Sequence, residues 1–189
     1  GFQYDLADVT RQVMANYANV LQQQIAQSYR QKNLPLFTRQ QQQFLQLITD
    51  MDQLLCTRKD FLLGCWLEDA KKMGTTPAEK ALYEKNARNL LTLWGDKNSP
   101  LYDYANRQWA GMLNGFYKPR WEIFFAYVQN CLQKDEQINE DLINNQLKDW
   151  EWQWVNSQET YTAAPSGNTV RTATALYHKY QQVITAAYQ

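Results

Sequence analysis

Apolar residues recur three and four positions apart along nearly the whole chain, and the five prolines fall between those runs. That spacing lines one face of a helix, and proline inside a helix removes a hydrogen bond and clashes with the preceding turn. The first run, 5–31, carries Leu6, Val9, Val13, Tyr17, Val20, Leu21, Ile25 and Tyr29, and Asn33-Leu34-Pro35 ends it. A second run over 36–56 carries Phe37, Phe44, Ile48, Met51 and Leu55, with the Gln40–Gln43 tract as its solvated face. Composition agrees with helix: 21 Leu, 17 Ala and 23 Gln stand against 13 Val plus Ile.

Further along, Asp60 opens a helix over 60–73, and Gly74 reads as a left-handed cap behind it. Thr76, Pro77 and Glu79 form a capping box with proline in the first turn, starting a helix that runs to about Leu93. Residues 94–100 read as a loop. Ser99-Pro100 starts a helix expected to pass Tyr104 and Trp109 and reach Tyr117, where Lys118-Pro119 breaks or kinks it. A strongly apolar helix follows, then one from Asn139 with Leu142, Leu147, Trp150 and Trp154, a loop over 160–168, and a last helix over 169–187. The expected fold is an all-α bundle of about eight helices forming a single domain over 1–189. No repeat of solenoid length is present.

Chemistry is harder to find. The 19 basic and 19 acidic residues cancel, which argues against a nucleic-acid partner. No apolar stretch is long enough to span a membrane. The single histidine, His178, leaves little from which to build a Ser–His or Cys–His device or a histidine-rich metal site, so no metal or cofactor is expected. Cys56, Cys65 and Cys131 are odd in number and far apart, and read as buried thiols. Asp5/Asp8, Glu68/Asp69 and Glu136/Glu140 are the nearest approach to a glycosidase carboxylate pair, but each sits where surface or cap acids are ordinary.

The aromatics say more. Trp150 and Trp154 share a helix face, whereas Trp152 points nearly opposite and is a candidate contact with another domain. Trp94, in a loop beside Gly95, and Tyr104, near the start of the next helix, could wall a ligand pocket.

The segment Phe61-Leu-Leu-Gly-Cys-Trp-Leu-Glu-Asp-Ala70 resembles the FLLGxWLE stretch of glycoside hydrolase family 89, the α-N-acetylglucosaminidases. The likeness continues through Tyr83–Arg88, Leu91-Thr-Leu-Trp-Gly95, Asp103-Tyr-Ala-Asn106, Trp109-Ala-Gly111, Phe116–Trp121 and Gly167-Asn-Thr-Val170. It implies the C-terminal helical domain of a multidomain glycosidase, behind a small α/β domain and a (β/α)8 barrel. The family acts with retention on terminal α-linked N-acetylglucosamine, as in heparan sulfate fragments. Its two catalytic glutamates, about 5–5.5 Å apart in retaining enzymes, lie in the barrel. This chain is therefore expected to hold no catalytic residue and to be inactive alone.

The resemblance also implies roles by position. Trp94 and Leu101 pack on the sugar and its N-acetyl group, although the loop before Leu101 is one residue longer than is typical. Tyr104 contacts a hydroxyl. Arg88 is a structural partner that holds the Leu91–Gly95 segment, through a carboxylate. The expected partners are a terminal α-N-acetylglucosamine glycan and the barrel of the same chain. The apolar face that a missing barrel leaves gives a route to self-association. The family address is lysosomal, or exported in bacteria. Because the chain starts at Gly1, it is read as a piece of a longer one, and its lack of a leader says nothing of compartment. The alternative is a free-standing helical interaction module.

Overall fold

The structure, a computed structural model, describes residues 1–100 and 106–188. Seven α-helices account for most of the described residues, and none of the described residues forms a strand. Helix α1, Phe2–Arg30, buries Ala7, Met14, Tyr17, Leu21, Ile25 and Ser28 along one face. Lys32 turns the chain at a left-handed φ of 52°, and the Asn33 side chain accepts from the Leu36 N–H to start α2, Leu34–Leu55. Pro35 sits in that first turn, where its missing donor is not needed. The two helices therefore run antiparallel as a hairpin.

After a 3-10 turn at Lys59–Phe61 come α3, Leu63–Lys72, and α4, Pro77–Leu90. The capping box forms as read: Thr76 Oγ1 accepts from the Glu79 N–H at 3.2 Å, and Glu79 accepts from the Thr75 and Thr76 N–H groups. The Thr75 hydroxyl, donating to Glu79 at 2.6 Å, and then the Thr76 and Thr75 N–H groups hold the Glu79 carboxyl down at about 2, from an ordinary 4.5. Gly74 departs from expectation, because its φ is not in the left-handed region and the α3 cap is Met73 in right-handed conformation. Glycine is needed there for space, since a Cβ would lie 2.7 Å from the Lys80 nitrogen.

The helix expected over 99–117 is the larger departure. Residues 106–109 are not helical; Ala110 pairs with Phe61 and Leu63 through backbone bonds of 2.8 and 3.1 Å. Gly111, at φ 86°, then turns the chain into a π-helical turn, Leu113–Tyr117. The carboxylate of Asp52 on α2 accepts from the Gly111 and Asn114 N–H groups at 2.7 and 3.1 Å, capping that start from across the fold. Burial pushes the Asp52 carboxyl up while these bonds pull it down. The π turn runs directly into α5, Lys118–Lys134, so Pro119 stands in a first turn and the expected break is a wide turn before it.

Asp135, left-handed at φ 56°, ends α5. Asn139 caps α6, Glu140–Val155, and Asn168 caps α7, Thr169–Ala187. Helix α1 packs on α2 and α7, α2 on α5, α3 on α4, and α6 on both α4 and α5. Two apolar clusters result. One joins α1, α2, α5 and α7 around residues such as Leu21, Phe37, Leu47, Leu54 and Phe125. The other gathers Leu63, Leu67, Ala87, Leu91, Leu93, Met112, Phe116, Trp154 and Val155. Among the described residues no helix is long and apolar enough to cross a membrane.

Candidate functional site

The C-terminal end of α4 carries the site. Its last turns put Glu84 and Arg88 four residues apart on one face, and Arg88 Nη2 meets Glu84 Oε1 at 2.8 Å. The Arg88 side chain is fully buried. Its guanidinium lies between two rings, 4.8 Å from Trp154 and 5.4 Å from Tyr161, and donates to the Glu159 carbonyl. Pairing with Glu84 through Nε and Nη2 offsets the burial of this cation, while Nη1 makes no hydrogen bond among the described residues.

Residues 156–168, between α6 and α7, form the strap that supplies Glu159 and Tyr161. Glycines make room for it. A Cβ on Gly64 would lie 2.1 Å from the Thr162 carbonyl oxygen, and Cβ atoms on Gly111 and Gly115 would lie 2.9 and 2.5 Å from the Tyr161 side chain. The Tyr161 hydroxyl accepts from Trp154 Nε1 at 2.9 Å and donates to Glu159 at 3.0 Å. Burial raises the Tyr161 hydroxyl above its ordinary range.

Beyond Leu90 the chain makes a tight turn. Leu91 and Leu93 point into the second cluster, and Thr92 Oγ1 donates to the Arg88 carbonyl at 3.0 Å. With three successive residues anchored inward, Trp94 takes a left-handed φ of 55° and emerges 42% exposed. An aromatic residue at positive φ is uncommon and persists only where its surroundings dictate it. Here Asn89 dictates it. Its carbonyl accepts from the Trp94 N–H at 3.0 Å, and its side-chain amide pairs with Gly95 in both directions, at 2.8 and 3.2 Å. Trp94 Nε1 donates to the Leu90 carbonyl at 2.6 Å. With its one N–H engaged, the side-chain surface that the indole leaves exposed is carbon, suited to packing on the C–H surface of a sugar or on another apolar group. The loop after it closes through the Ser99 N–H to Asp96 carbonyl bond at 3.0 Å, and Lys97 pairs with Asp149 of α6.

Leu101 and Tyr104 lie outside the described residues. The others are placed. His178 is exposed on α7 with its ring 5.5 Å from that of Tyr177. Trp152 is half-buried against α4, with Lys85 Nζ 4.9 Å from its ring, so this face of α6 is already in contact within the chain. Cys131 is buried and Cys56 and Cys65 are half-buried. Asp8, Glu68 and Asp69 each pair with a cation three residues away on their own helix. Among the described residues no group of three His, Cys, Asp or Glu side chains could hold a metal ion. The arrangement presents a ring and holds it still.

Sequence reasoning missed Asn89, Glu159 and Tyr161. Asn89 carries no local pattern that distinguishes it from other helical asparagines. The strap contacts Arg88 from 71 residues away, through a backbone carbonyl that any residue could supply.

The family model for the C-terminal domain of α-N-acetylglucosaminidase matches residues 1–179. An α-N-acetylglucosaminidase from Homo sapiens is 32% identical over 180 residues, which cover 95% of this chain and 24% of the human protein. A family 89 glycoside hydrolase from Clostridium perfringens, solved with PUGNAc, superposes with a TM-score of 0.84 at 33% identity, over 95% of this chain and 21% of that one. The same hydrolase solved with 2-acetamido-1,2-dideoxynojirimycin gives 0.83 at 32% identity, with 94% and 21% covered. The chain thus spans about a quarter or less of the length of these relatives.

Proposed function

The chain belongs to the α-N-acetylglucosaminidase C-terminal domain family, and from that premise we propose that it serves as the helical C-terminal domain of an exo-acting, retaining α-N-acetylglucosaminidase. It packs on a catalytic barrel that carries both glutamates and forms one wall of the sugar pocket. The substrate is a terminal α-linked N-acetylglucosamine, in glycans such as heparan sulfate. Trp94 packs against the sugar, Leu101 and Tyr104 complete the wall, and Arg88 supports the turn from beneath.

The observation that carries this reading is the Trp94 turn. The Arg88 carbonyl accepts from Thr92 within it, while Asn89 holds an unfavourable backbone conformation at Trp94 that leaves apolar indole surface exposed. An indole carries no titratable group, so the contribution of Trp94 is shape and dispersion. Preorganised contacts of this type raise kcat/KM through binding that needs no rearrangement.

The test is made in the full-length enzyme with an aryl α-N-acetylglucosaminide. Trp94→Ala is expected to lower kcat/KM more than tenfold, which is over about 1.4 kcal/mol. An unchanged value in a normally folded variant removes Trp94 from the pocket. The 189-residue chain alone is expected to show no turnover, and measurable hydrolysis by it would place the chemistry here instead.

A further inference from the structure

Four hydrogen bonds of the Trp94 turn converge on one residue of α4, Asn89. Asn89 stands inside the helix, two residues before the C-cap Leu91. Its backbone carbonyl accepts from the Thr92 and Trp94 N–H groups at 3.1 and 3.0 Å. Its side-chain amide donates to the Gly95 carbonyl at 2.8 Å and accepts from the Gly95 N–H at 3.2 Å. The first pair needs only main-chain atoms, so a substitution at position 89 leaves it in place. The second pair needs a donor and an acceptor side by side on a short stem, which is the asparagine amide.

Gly95 is held from its other side as well. A Cβ there would lie 2.9 Å from both Cβ and Oγ of Ser99, and the Ser99 N–H closes the loop onto the Asp96 carbonyl at 3.0 Å. Trp94 therefore links Leu93, fully buried in the second cluster, to Gly95, fixed by the amide. Anchors on both sides hold its backbone at the left-handed φ of 55°, which is unfavourable for a residue with a Cβ. Without the amide one anchor is gone, the backbone at Trp94 relaxes, and the indole moves with it. Asn89 itself is half-buried and belongs to neither apolar cluster, so its side chain adds little to the core.

We propose that Asn89 is a positioning residue of the sugar site: its side-chain amide, acting through Gly95, holds the Trp94 indole where the ligand meets it. The inference rests on the function proposed above and adds a residue that acts on the sugar only through Trp94. A ligand that requires one arrangement of Trp94 binds in proportion to the fraction of molecules that hold it. Loss of the amide lowers that fraction, and kcat/KM falls with it. A cap that only supports the end of α4 behaves differently. Its loss changes how much protein folds, with the same effect whatever stands at position 94.

A double-mutant cycle in the full-length enzyme, assayed on the aryl α-N-acetylglucosaminide, separates the two roles. Asn89→Ala is expected to lower kcat/KM at least about fivefold when Trp94 is present, and less than about twofold when Trp94→Ala is already in place. Asn89→Asp keeps the acceptor for the Gly95 N–H but sets a carboxylate oxygen against the Gly95 carbonyl. It is expected to lose as much as Asn89→Ala, and it carries the same cycle where the alanine variant does not fold. Equal losses in the two backgrounds overturn the proposal, as does an unchanged kcat/KM in a folded Asn89 variant while Trp94→Ala is impaired. Failure of both Asn89 variants to fold overturns it too, because the amide is then a folding element. An unchanged kcat/KM in Trp94→Ala instead sinks the functional reading beneath it.

Discussion

The α1–α2–α5–α7 side of the molecule and the α3–α4–α6 side are held by different kinds of contact. On the first side, long helices present regular stripes, and its centre is a run of rings in which Phe44, Trp121 and Phe125 lie 4.8–5.7 Å apart. Its buried carboxylates stand at the edges: Asp52 caps the π turn, and Asp50 takes bonds from Lys179 and Tyr180, whose hydroxyl burial drives upward. On the second side the helices are shorter and a charge sits at the centre. Arg88 is fully buried, and Glu151, 2% exposed, meets Arg120 at 2.7 Å. Gly64, Gly111 and Gly115 admit the strap. The difference teaches that long helices can take their order from periodicity, whereas short ones here take it from individually shaped contacts. The turn that displays Trp94 belongs to the second kind.

The comparison breaks most easily at Arg88. Arg88→Ala takes the nearer cation from half-buried Glu84, leaving it only Lys71 at 3.9 Å, and opens space between Trp154 and Tyr161, so it is expected to lower unfolding free energy by about 3 kcal/mol. Leu54→Met on the first side, equally buried, is expected to cost less than about 1.5 kcal/mol. Denaturant titration of both variants reads the contrast directly, and equal losses would erase it.

A smaller effect with a sharper sign comes from Gly64. Alanine ordinarily favours a helix over glycine by about 0.5–1 kcal/mol. At Gly64 the added methyl meets the strap carbonyl, so Gly64→Ala is expected to destabilise by about 2 kcal/mol or more. A gain in melting temperature would show that the strap yields without cost.

The smallest effect is local. Glu79 has a depressed carboxyl, so its contribution is present above its ordinary 4.5 and is lost as pH falls through about 2. The protection of the Thr75 and Thr76 amides, as exchange relative to the intrinsic rate at each pH, is expected to fall over that window, before either cluster loosens. Unchanged protection there would mean that the box does not hold the α4 start.

Legibility followed the same division. Thr76 and Asn139 announce helix starts because a cap acts over three residues, and the stripes of α1 and α2 are readable because period and burial coincide. The helix expected through Trp109 was not legible as extended chain, because the pairing of Ala110 with Phe61 and the Asp52 cap are contacts between distant segments. For the site, the sequence marks Trp94 only as an aromatic in a loop; its left-handed backbone follows from Asn89, Leu91 and Leu93 acting together. Trp152, which helical-wheel reasoning turns away from Trp150 and Trp154, is half-buried and meets Lys85 of α4, a contact between helices that the wheel alone does not show.

The bond from Arg88 to Glu159 also sets an order in time. The two residues are 71 positions apart, so a chain emerging from the ribosome completes α4 well before its brace exists. At about 5–20 residues per second, roughly 4–14 s separate their synthesis. Throughout that interval the guanidinium lacks the strap carbonyl, and for nearly all of it the Trp154 ring as well. The nascent domain therefore encloses Arg88 late, when only α7 remains to be made.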